Sequence, residues 1–279
     1  MKTFTKIKKK MCNPIMILIL FCIMTLLGCS KDKIGIIIAG STSVQPYAEI
    51  LAEEYALLNS DHEIDVQGGG TAAGITASQS GTADIGMSSR NLKEKELDNG
   101  LWWIEIARDG LAVIVHPDNL IKNLTFEQLR DIYSGKILNW NEVGGQDAKI
   151  HLIAREEGSG TRSAFEDLVM GNQRITPKAI VQNSNGSVKQ LVTNDQYAIG
   201  FISLGLVNNQ VIALKLNGVA ATHENIVNGS YELYRPYLFI TKSEPTGTTK
   251  QFIEYVQSNE GQQILTKKGL IPIEKGIKP

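Results

Sequence analysis

Three segments of the sequence combine glycine with hydroxyl side chains directly before a predicted helix. They are Gly40-Ser41-Thr42-Ser43, Gly69-Gly70-Thr71 and Gly158-Ser159-Gly160-Thr161. The first turn of a helix has unpaired backbone N–H groups and partial positive charge, so it attracts anions. Glycine lets the backbone approach a ligand closely, and the hydroxyls add donors. Together the turns predict an anion site, although serine and threonine are also ordinary helix N-caps, worth about 1 kcal/mol each.

Arg155 adds a charged donor to the third of these turns. It follows a predicted strand at 150–154 and lies four residues before Ser159. A guanidinium group matches a tetrahedral oxyanion in a two-pronged geometry, so an arginine at this place predicts an oxyanion clamp. The alternative is a surface arginine that is paired with Glu156 or Glu157.

Strands and helices alternate along the chain in a way that can bring the turns together. Strands are predicted at 34–39, 64–66, 83–87, 111–116, 150–154, 197–202 and 237–241, and helices at 46–58, 72–79, 125–135, 161–170, 187–193 and 248–257. This alternation is typical of an α/β fold with parallel strands. Ligands of open α/β sheets bind at the carboxyl ends of the strands, where all three turns are predicted to lie.

The first 28 residues have a different composition from the rest. They contain five lysines and no acidic residue, and an apolar run at 15–27 ends in Leu26-Leu27-Gly28-Cys29. This run is shorter than the roughly 20 residues of a spanning helix, and the pattern predicts a secretory signal. Its end resembles a lipoprotein lipobox, which implies lipidation of Cys29 and a tether at 29–33. The alternative is an uncleaved anchor with an incidental cysteine.

The bulk composition excludes several classes of function. Removal of residues 1–28 takes the formal net charge from −1 to −6, which disfavours nucleic-acid binding. It also leaves one cysteine, so no disulfide or cysteine-based metal site is expected. The histidines at 62, 116, 151 and 223 lack metal-ligand spacing, and no nucleotide-binding or Ser-His-Asp motif is present. We therefore expect no enzyme activity, catalytic residue, cofactor or metal.

Five motifs, in order, resemble the phosphate-binding proteins of bacterial phosphate ABC transporters. They are 39–46, 68–71, 83–90 (Ala-Asp-Ile-Gly-Met-Ser-Ser-Arg), 124–145 with Asn139-Trp140 and Val143-Gly144-Gly145, and 155–162. The resemblance covers about 34–279. It implies a type II periplasmic-binding-protein fold, an α/β architecture of two lobes, each a mixed, mostly parallel sheet flanked by helices. It also implies crossings near 110–115 and 231–237, with lobe I at 34–111 plus 236–279 and lobe II at 112–235.

The resemblance also implies a set of phosphate-binding residues. They are Thr42, Ser43, Thr71 and Ser89 from lobe I and Arg155, Ser159, Gly160 and Thr161 from lobe II, with Ser41, Ser88, Arg90 and Arg162 as weaker candidates. Arg90 and Arg162 could instead be solvated ion-pair partners. Some members of the family carry an aspartate at the position of Ser89, whose carboxylate repels fully ionised sulfate. Because this chain has the uncharged serine instead, its rejection of sulfate would depend on another acceptor, such as Glu156 or Asp84. Asp84, however, has the position of a structural turn residue.

The function implied by the resemblance is extracytoplasmic binding of inorganic phosphate and its delivery to the permease subunits of an ABC importer. The protein is expected to be monomeric and lipid-anchored at the outer face of the bacterial cytoplasmic membrane. Three alternatives remain open. They are a receptor for another oxyanion (sulfate, molybdate or tungstate), a secreted phosphohydrolase, and an adhesion protein that keeps the fold without the ligand.

Overall fold

A computed structural model describes residues 34–273 of the chain. The predicted signal segment at 1–28, the tether at 29–33 and the lipidation of Cys29 all lie outside the described residues. Within 34–273, no helix combines the length and the apolar character that a membrane crossing requires.

Nine of the eleven strands in residues 34–273 form one mixed sheet that runs through the molecule. The eleven strands are β1 (Ile34–Gly40), β2 (His62–Gly68), β3 (Ile85–Ser88), β4 (Trp102–Val115), β5 (Asn123–Leu124), β6 (His151–Arg155), β7 (Ile180–Gln182), β8 (Ala198–Ser203), β9 (Ile212–Ala213), β10 (Lys215–Leu216) and β11 (Tyr234–Thr241). The order is β2-β1-β3-β11-β4-β8-β6-β7, with β9 beside β4 and a separate pair of β5 and β10. The outer pairs are parallel, and β11 and β4 in the middle run antiparallel to their neighbours.

The helices connect these strands in the predicted alternation. They are α1 (Gln45–Leu58), α2 (Thr71–Ser80), α3 (Glu94–Leu97), α4 (Phe126–Ser134), α5 (Gly160–Phe165), α6 (Asn185–Thr193), α7 (His223–Val227), α8 (Gly247–Val256) and α9 (Asn259–Lys267). Short 3₁₀ helices occupy Trp140–Val143 and Leu204–Leu206. The predicted helix at 161–170 changes from α to π geometry at Glu166. Helix α9 was not predicted, because its sequence is largely polar.

The end signals of α4 are confirmed. Thr125 accepts a hydrogen bond from the Gln128 backbone N–H, and Gln128 in turn binds the Thr125 backbone N–H. Gly135 has a positive φ of 83°, which ends the helix in the left-handed conformation that glycine tolerates best.

Strand β4 is longer than predicted and joins the two lobes. The sequence pattern predicted 111–116, whereas the strand has 14 residues and begins at Trp102. Charged residues at 105, 108 and 109 interrupt the apolar pattern and concealed its first half. This first half pairs with β11, and the second half, from Leu111 onward, pairs with β8.

Two separate hydrophobic cores lie on either side of the middle strands. The first packs β1, β3, β11 and the first half of β4 against α1, α8 and α9, and includes Tyr47, Phe239 and Phe252. The second packs the rest of β4, β6 and β8 against α4, with Phe165 and Phe201 stacked at 4.1 Å. Smaller clusters under α2 and α6 cover the other sheet faces. The predicted two-lobed α/β class is confirmed, and we call the sides of these cores the first and second lobes.

Candidate anion-binding site

The three glycine–hydroxyl turns meet where the two lobes face each other. The Ser41 hydroxyl donates to Ser89 Oγ at 2.9 Å, and Ser89 N–H donates to Thr71 Oγ1 at 3.2 Å. From the second lobe, Thr161 Oγ1 lies 2.8 Å from Ser43 Oγ. These hydroxyl residues are all buried. The turns therefore share one enclosed, polar place between the lobes.

The hydroxyls of the first two turns do not serve as helix caps. Helix α1 begins after Val44 and helix α2 after Gly70, and neither start has a side-chain cap. Ser159 is different, because its Oγ accepts from the backbone N–H groups of Thr161 and Arg162 at 3.2 Å each. The plain N-cap alternative thus applies to the third turn, while the hydroxyls of the first two turns contact Ser89, Arg155 and Thr161 instead of capping their helices.

Backbone contacts also hold the lobes together at this place. Ala72 N–H of the first lobe donates to the Gly158 carbonyl of the second at 3.1 Å. A Cβ on Gly160 would lie 2.5 Å from Ser89 Oγ and would collide with Thr71 Oγ1. Only glycine therefore permits this approach of the third turn to the first lobe.

Arg155 is buried at the centre of the group. Its side chain is 1% exposed, and Nε and Nη2 donate to the Glu156 carboxylate at 2.9 and 2.8 Å. Nη2 also reaches Thr42 Oγ1 at 3.3 Å across the cleft, and Nη1 lies 3.5 Å from Thr161 Oγ1. The pairing with Glu156 that sequence analysis left open is present, but on a buried arginine. Burial lowers the pKa of the Arg155 guanidinium, and the neighbouring Glu156 carboxylate opposes this by raising it. The guanidinium stays protonated.

The weaker candidates have other partners. Arg90 makes two hydrogen bonds of 2.8 Å to Glu96, and Ser88 Oγ donates to the Arg90 carbonyl. Arg162 binds Glu166 at 2.8 Å and, through Nη1, the Arg155 carbonyl. Arg90 and Arg162 thus have the ion-pair geometry that was the alternative for them, and Ser41 is the weaker candidate that lies among the clustered hydroxyls.

Sequence reasoning missed Asn185, at the start of α6. Its Nδ2 donates to Ser43 Oγ at 2.8 Å and lies 3.4 Å from Thr42 Oγ1. Its Oδ1 accepts from Ser203 N–H at 3.2 Å, which identifies the two ends of the amide. The segment Ser184-Asn185-Gly186-Ser187 at the start of α6 combines glycine with hydroxyls much as the other three turns do, and this composition is the signal that could have identified Asn185.

Sequence reasoning also missed a buried ion pair between β4 and β11. Asp109 and Arg235 lie 3.1 Å apart, and Arg235 Nη2 donates to Ser43 Oγ at 3.2 Å. Burial raises the pKa of Asp109, against the opposing effects of Arg235, Tyr237 and Ser203. The available signal was the presence of charged residues within two largely apolar segments, at 105, 108 and 109 in β4 and at 235 in β11, since buried charges are rare unless paired.

The two carboxylates considered as acceptors have different positions. Asp84 accepts from the Ile37 backbone N–H at 2.8 Å and is exposed, so it serves the start of the sheet as a structural turn residue. Glu156 borders the clustered hydroxyls through its pair with Arg155. Within residues 34–273, no group of three or more His, Cys, Asp or Glu side chains could hold a metal ion.

Comparison with known sequences gives consistent matches over most of the chain. Residues 29–260 match the PBP superfamily domain. The phosphate-binding protein PstS of Bacillus subtilis is 34% identical over 250 residues, which are 88% of this chain and 83% of that protein. The protein of the same name from Borreliella burgdorferi is 32% identical over 250 residues, 85% of this chain and 89% of that protein.

Solved structures match as well. A putative phosphate ABC transporter substrate-binding protein from Clostridium perfringens, solved with bound phosphate, has a TM-score of 0.84 and 42% identity, and the match covers 86% of this chain and 100% of that one. An ABC-type phosphate transport receptor from Vibrio cholerae has a TM-score of 0.72 and 41% identity, with 85% and 100% covered.

These matches decide between the classes that sequence analysis left open. They are to binding proteins and transport receptors, so the expectation that the chain is not an enzyme is confirmed. The two-lobed fold and the order of the motifs agree with the same conclusion. The chain belongs to the PBP superfamily and, within it, to the family of the PstS phosphate-binding proteins.

Proposed function

We propose that the protein binds inorganic phosphate between its lobes, outside the cytoplasm, and delivers it to an ABC importer. The observation that carries this proposal is the convergence of buried hydroxyls from both lobes around the Arg155 guanidinium. Phosphate is the ligand in the structure from Clostridium perfringens, which is similar over most of the chain.

The proposed ligand contacts come from both sides of the cleft. The first lobe would contribute the hydroxyls and backbone of Thr42, Ser43, Thr71 and Ser89, and the second lobe would contribute Arg155, Ser159, Gly160 and Thr161. Hydroxyls that bond to each other in the structure can turn their protons toward anion oxygens, since a hydroxyl rotor is free to reorient. Arg155 adds charge-assisted hydrogen bonds, which are about twice as strong as neutral ones.

Contacts from both lobes would couple ligand binding to lobe closure. A ligand shifts a conformational equilibrium only through differential interactions with the two states, and an anion held by both lobes meets this condition. We assign 34–111 plus 236–279 to lobe I and 112–235 to lobe II. This division is supported by the first core, which takes its residues from 36–107 and 237–270, and by the second, which takes them from 111–233.

A second candidate ligand is another tetrahedral oxyanion, above all sulfate. Ser89 bonds only to hydroxyl and backbone groups and carries no charge, so it cannot repel a fully ionised anion. Glu156 is the carboxylate that would accept a phosphate proton, but Arg155 already binds both of its oxygens. We therefore expect weaker rejection of sulfate than an aspartate at position 89 would provide.

Three further proposals concern the cellular setting. We propose lipidation at Cys29, which follows the predicted signal peptide and lipobox, and location at the outer face of the cytoplasmic membrane. We propose docking onto permease subunits, because two similar structures are described as ABC transport proteins for phosphate. The protein is proposed to act as a monomer. A globomycin-sensitive shift in the size of the precursor would test lipidation.

Isothermal titration calorimetry with phosphate, arsenate and sulfate at two pH values tests the ligand. We expect phosphate to bind with a dissociation constant on the order of 1 μM, about −8 kcal/mol. Arg155→Gln is expected to weaken binding at least 100-fold, because several charge-assisted bonds are lost. The charge-matched control Arg174→Gln changes an exposed side chain and is expected to bind as the wild type does. Tighter binding of sulfate than of phosphate, or unchanged binding by Arg155→Gln, would contradict the proposal.

A further inference from the structure

A second buried guanidinium lies next to the proposed site and is not among the ligand contacts proposed above. Arg235 is in β11, and its side chain is 2% exposed. Its Nε and Nη2 atoms donate to Asp109 Oδ2 at 3.3 and 3.1 Å. The two strands that carry this pair, β4 and β11, are the middle strands of the sheet, between the two cores.

Asp109 is fully occupied by its protein partners. Tyr237 OH donates to Oδ2 at 2.7 Å, and Ser203 Oγ donates to Oδ1 at 2.8 Å. With Arg235 on Oδ2 as well, the carboxylate has no free oxygen directed at the cleft. Its function in the structure is therefore to hold the Arg235 guanidinium in one orientation.

The other side of the Arg235 guanidinium reaches the proposed site. Nη2 donates to Ser43 Oγ at 3.2 Å. Nη1 is buried and has no hydrogen-bond partner among residues 34–273. A buried donor without a partner is costly, by about 1–3 kcal/mol and more if charged, so such a group in a ligand-binding cleft points to a ligand contact.

The hydroxyl of Ser43 links Arg235, at the boundary between the two lobes, to Thr161 of the third turn. Ser43 Oγ accepts from Arg235 Nη2 and from Asn185 Nδ2, and both atoms can only donate. The hydroxyl must therefore donate its own proton outward. In the structure this proton points to Thr161 Oγ1 at 2.8 Å, and a bound anion would be the alternative acceptor.

Arg235 also borders the space between the lobes. It lines a cavity of about 240 Å³ whose wall includes Arg90 and Asn91 from the first lobe and Ala164 and Asp167 from the second. Its charge also acts on Arg155, because Arg235 is among the causes that lower the Arg155 pKa. Both guanidinium groups contact hydroxyls of the 41–43 turn, Arg155 that of Thr42 and Arg235 that of Ser43.

We propose that Arg235 is a second guanidinium of the anion site, whose Nη1 donates to the bound tetrahedral anion while Nη2 orients the Ser43 hydroxyl. The inference rests on the proposed function as an oxyanion receptor. Each guanidinium has its own carboxylate, Glu156 for Arg155 and Asp109 for Arg235. The site then offers donors from two cations without a large net charge, in a protein whose overall balance is negative.

The variant Arg235→Lys separates this role from a purely structural ion pair. A lysine keeps the positive charge opposite Asp109, but its single nitrogen cannot also supply the Nη1 donor. We expect anion affinity to fall at least tenfold, while the melting temperature changes little. The control Arg108→Gln alters a half-exposed arginine of β4 and is expected to keep wild-type affinity.

A double variant covers the case in which Arg235→Lys does not fold. Asp109→Asn with Arg235→Gln removes both charges, so no buried charge is left unpaired. We expect this protein to fold and to bind at least tenfold more weakly than the wild type. Binding would be measured by calorimetry and stability by thermal unfolding.

The outcomes separate the two levels of the proposal. Wild-type protein that binds neither phosphate, arsenate nor sulfate would overturn the proposed function, and the inference with it. If the wild type binds one of them, unchanged affinity in folded Arg235→Lys would overturn only the inference and make the pair purely structural. Loss of affinity with retained stability in this variant supports Arg235 as a ligand contact. The double variant decides in the same way if Arg235→Lys does not fold.

Discussion

Arg155 and Arg235, two buried arginines of the cleft, are held by carboxylates that differ in burial and in their distance along the chain. Arg155 pairs with its chain neighbour Glu156, whose side chain is 29% exposed. Arg235 pairs with Asp109, which is 126 residues away and 1% exposed. Both guanidinium groups contact a hydroxyl of the 41–43 turn. The first pair can adapt when the lobes move, whereas the second is fixed between two middle strands of the sheet.

The difference shows how one cleft can combine a mobile donor with a rigid one. Arg155 reaches Thr42 from the opposite lobe, so this contact depends on closure. Arg235 reaches Ser43 from β11, which pairs directly with β3, the neighbour of β1 in the first lobe. We expect the Arg235 contact to be present before closure and the Arg155 contact to form on closure.

The largest expected effect is on stability, from removal of one carboxylate of each pair. Asp109→Ala leaves the Arg235 charge buried and unpaired, and we expect the free energy of unfolding to fall by about 3–5 kcal/mol. Glu156→Ala also removes the carboxylate of a buried guanidinium, but Arg155 still donates to the carbonyls of Gln182 and Asn183, and we expect a smaller loss of about 1–3 kcal/mol. Urea unfolding measures both changes.

The control for this comparison is Asp118→Ala, whose side chain is 78% exposed. Its effect on unfolding is expected to be within about 0.5 kcal/mol. Equal losses for Asp109→Ala and Glu156→Ala would remove the distinction between a rigid and an adaptable pair.

A smaller effect, on anion affinity, is expected from a substitution in the third turn, which lies in the same lobe as Arg155 and contacts the first lobe. The Cβ of Gly160→Ala would collide with Thr71 and Ser89, so the third turn cannot approach the first lobe. Overpacking costs about 1–3 kcal/mol, and we expect anion affinity to fall about 5- to 150-fold. Calorimetry gives the affinity, and small-angle scattering shows whether ligand still compacts the protein.

Gly158→Ala is the matched control two residues earlier. Its Cβ would meet the Ala72 Cβ at 3.6 Å, an ordinary contact. This variant is expected to close and to bind nearly as the wild type does. If both substitutions were equally harmless, the Arg155 turn would not need the observed approach to bind its anion.

The smallest effect concerns a third pair, Arg90 with Glu96, which lies outside the proposed contacts. Burial raises the pKa of Glu96, but the hydrogen bonds from Arg90 and from the Lys93 backbone outweigh it, so the pKa is lowered. Because the folded-state pKa is depressed, the stabilisation is complete above the ordinary glutamate range. It is lost as pH falls through the lower, folded-state pKa.

Glu96→Gln should therefore lower stability at neutral pH by less than about 1 kcal/mol, with the difference from the wild type disappearing in acid. Unfolding in urea at several pH values measures this. Its affinity for the anion is expected to be unchanged, in contrast to Arg155→Gln and Arg235→Lys. A loss of anion binding by Glu96→Gln would indicate that Arg90, the partner of Glu96, contributes to the anion site.

Much of the fold could be predicted because its signals are local. The alternation of apolar runs with glycine-containing turns predicted the α/β class, and Thr125 and Gly135 predicted both ends of α4. The first half of β4 was missed because Asp109 and its charged neighbours break the apolar pattern. In the folded protein the Asp109 charge has a partner in β11, which no local pattern can indicate.

For the candidate site, too, the sequence predicted the local elements but not all of their contacts. Glycine and hydroxyl residues before helices identified the three turns without knowledge of their partners. The sequence ranked Arg155 above Arg90 and Arg162, although each of the three has a glutamate within six residues and all three form ion pairs. Position in the cleft decides which guanidinium also reaches the hydroxyls.

By itself, the sequence determined the alternating elements, the donor-rich turns and the family, because these depend on short-range order along the chain. Only the tertiary structure decided that Asn185 and Arg235 both donate to Ser43, and that Asp109 holds Arg235. Such contacts join residues more than 100 positions apart. They exist because packing two cores around the middle strands buries charges and hydroxyls together, where each must find a partner.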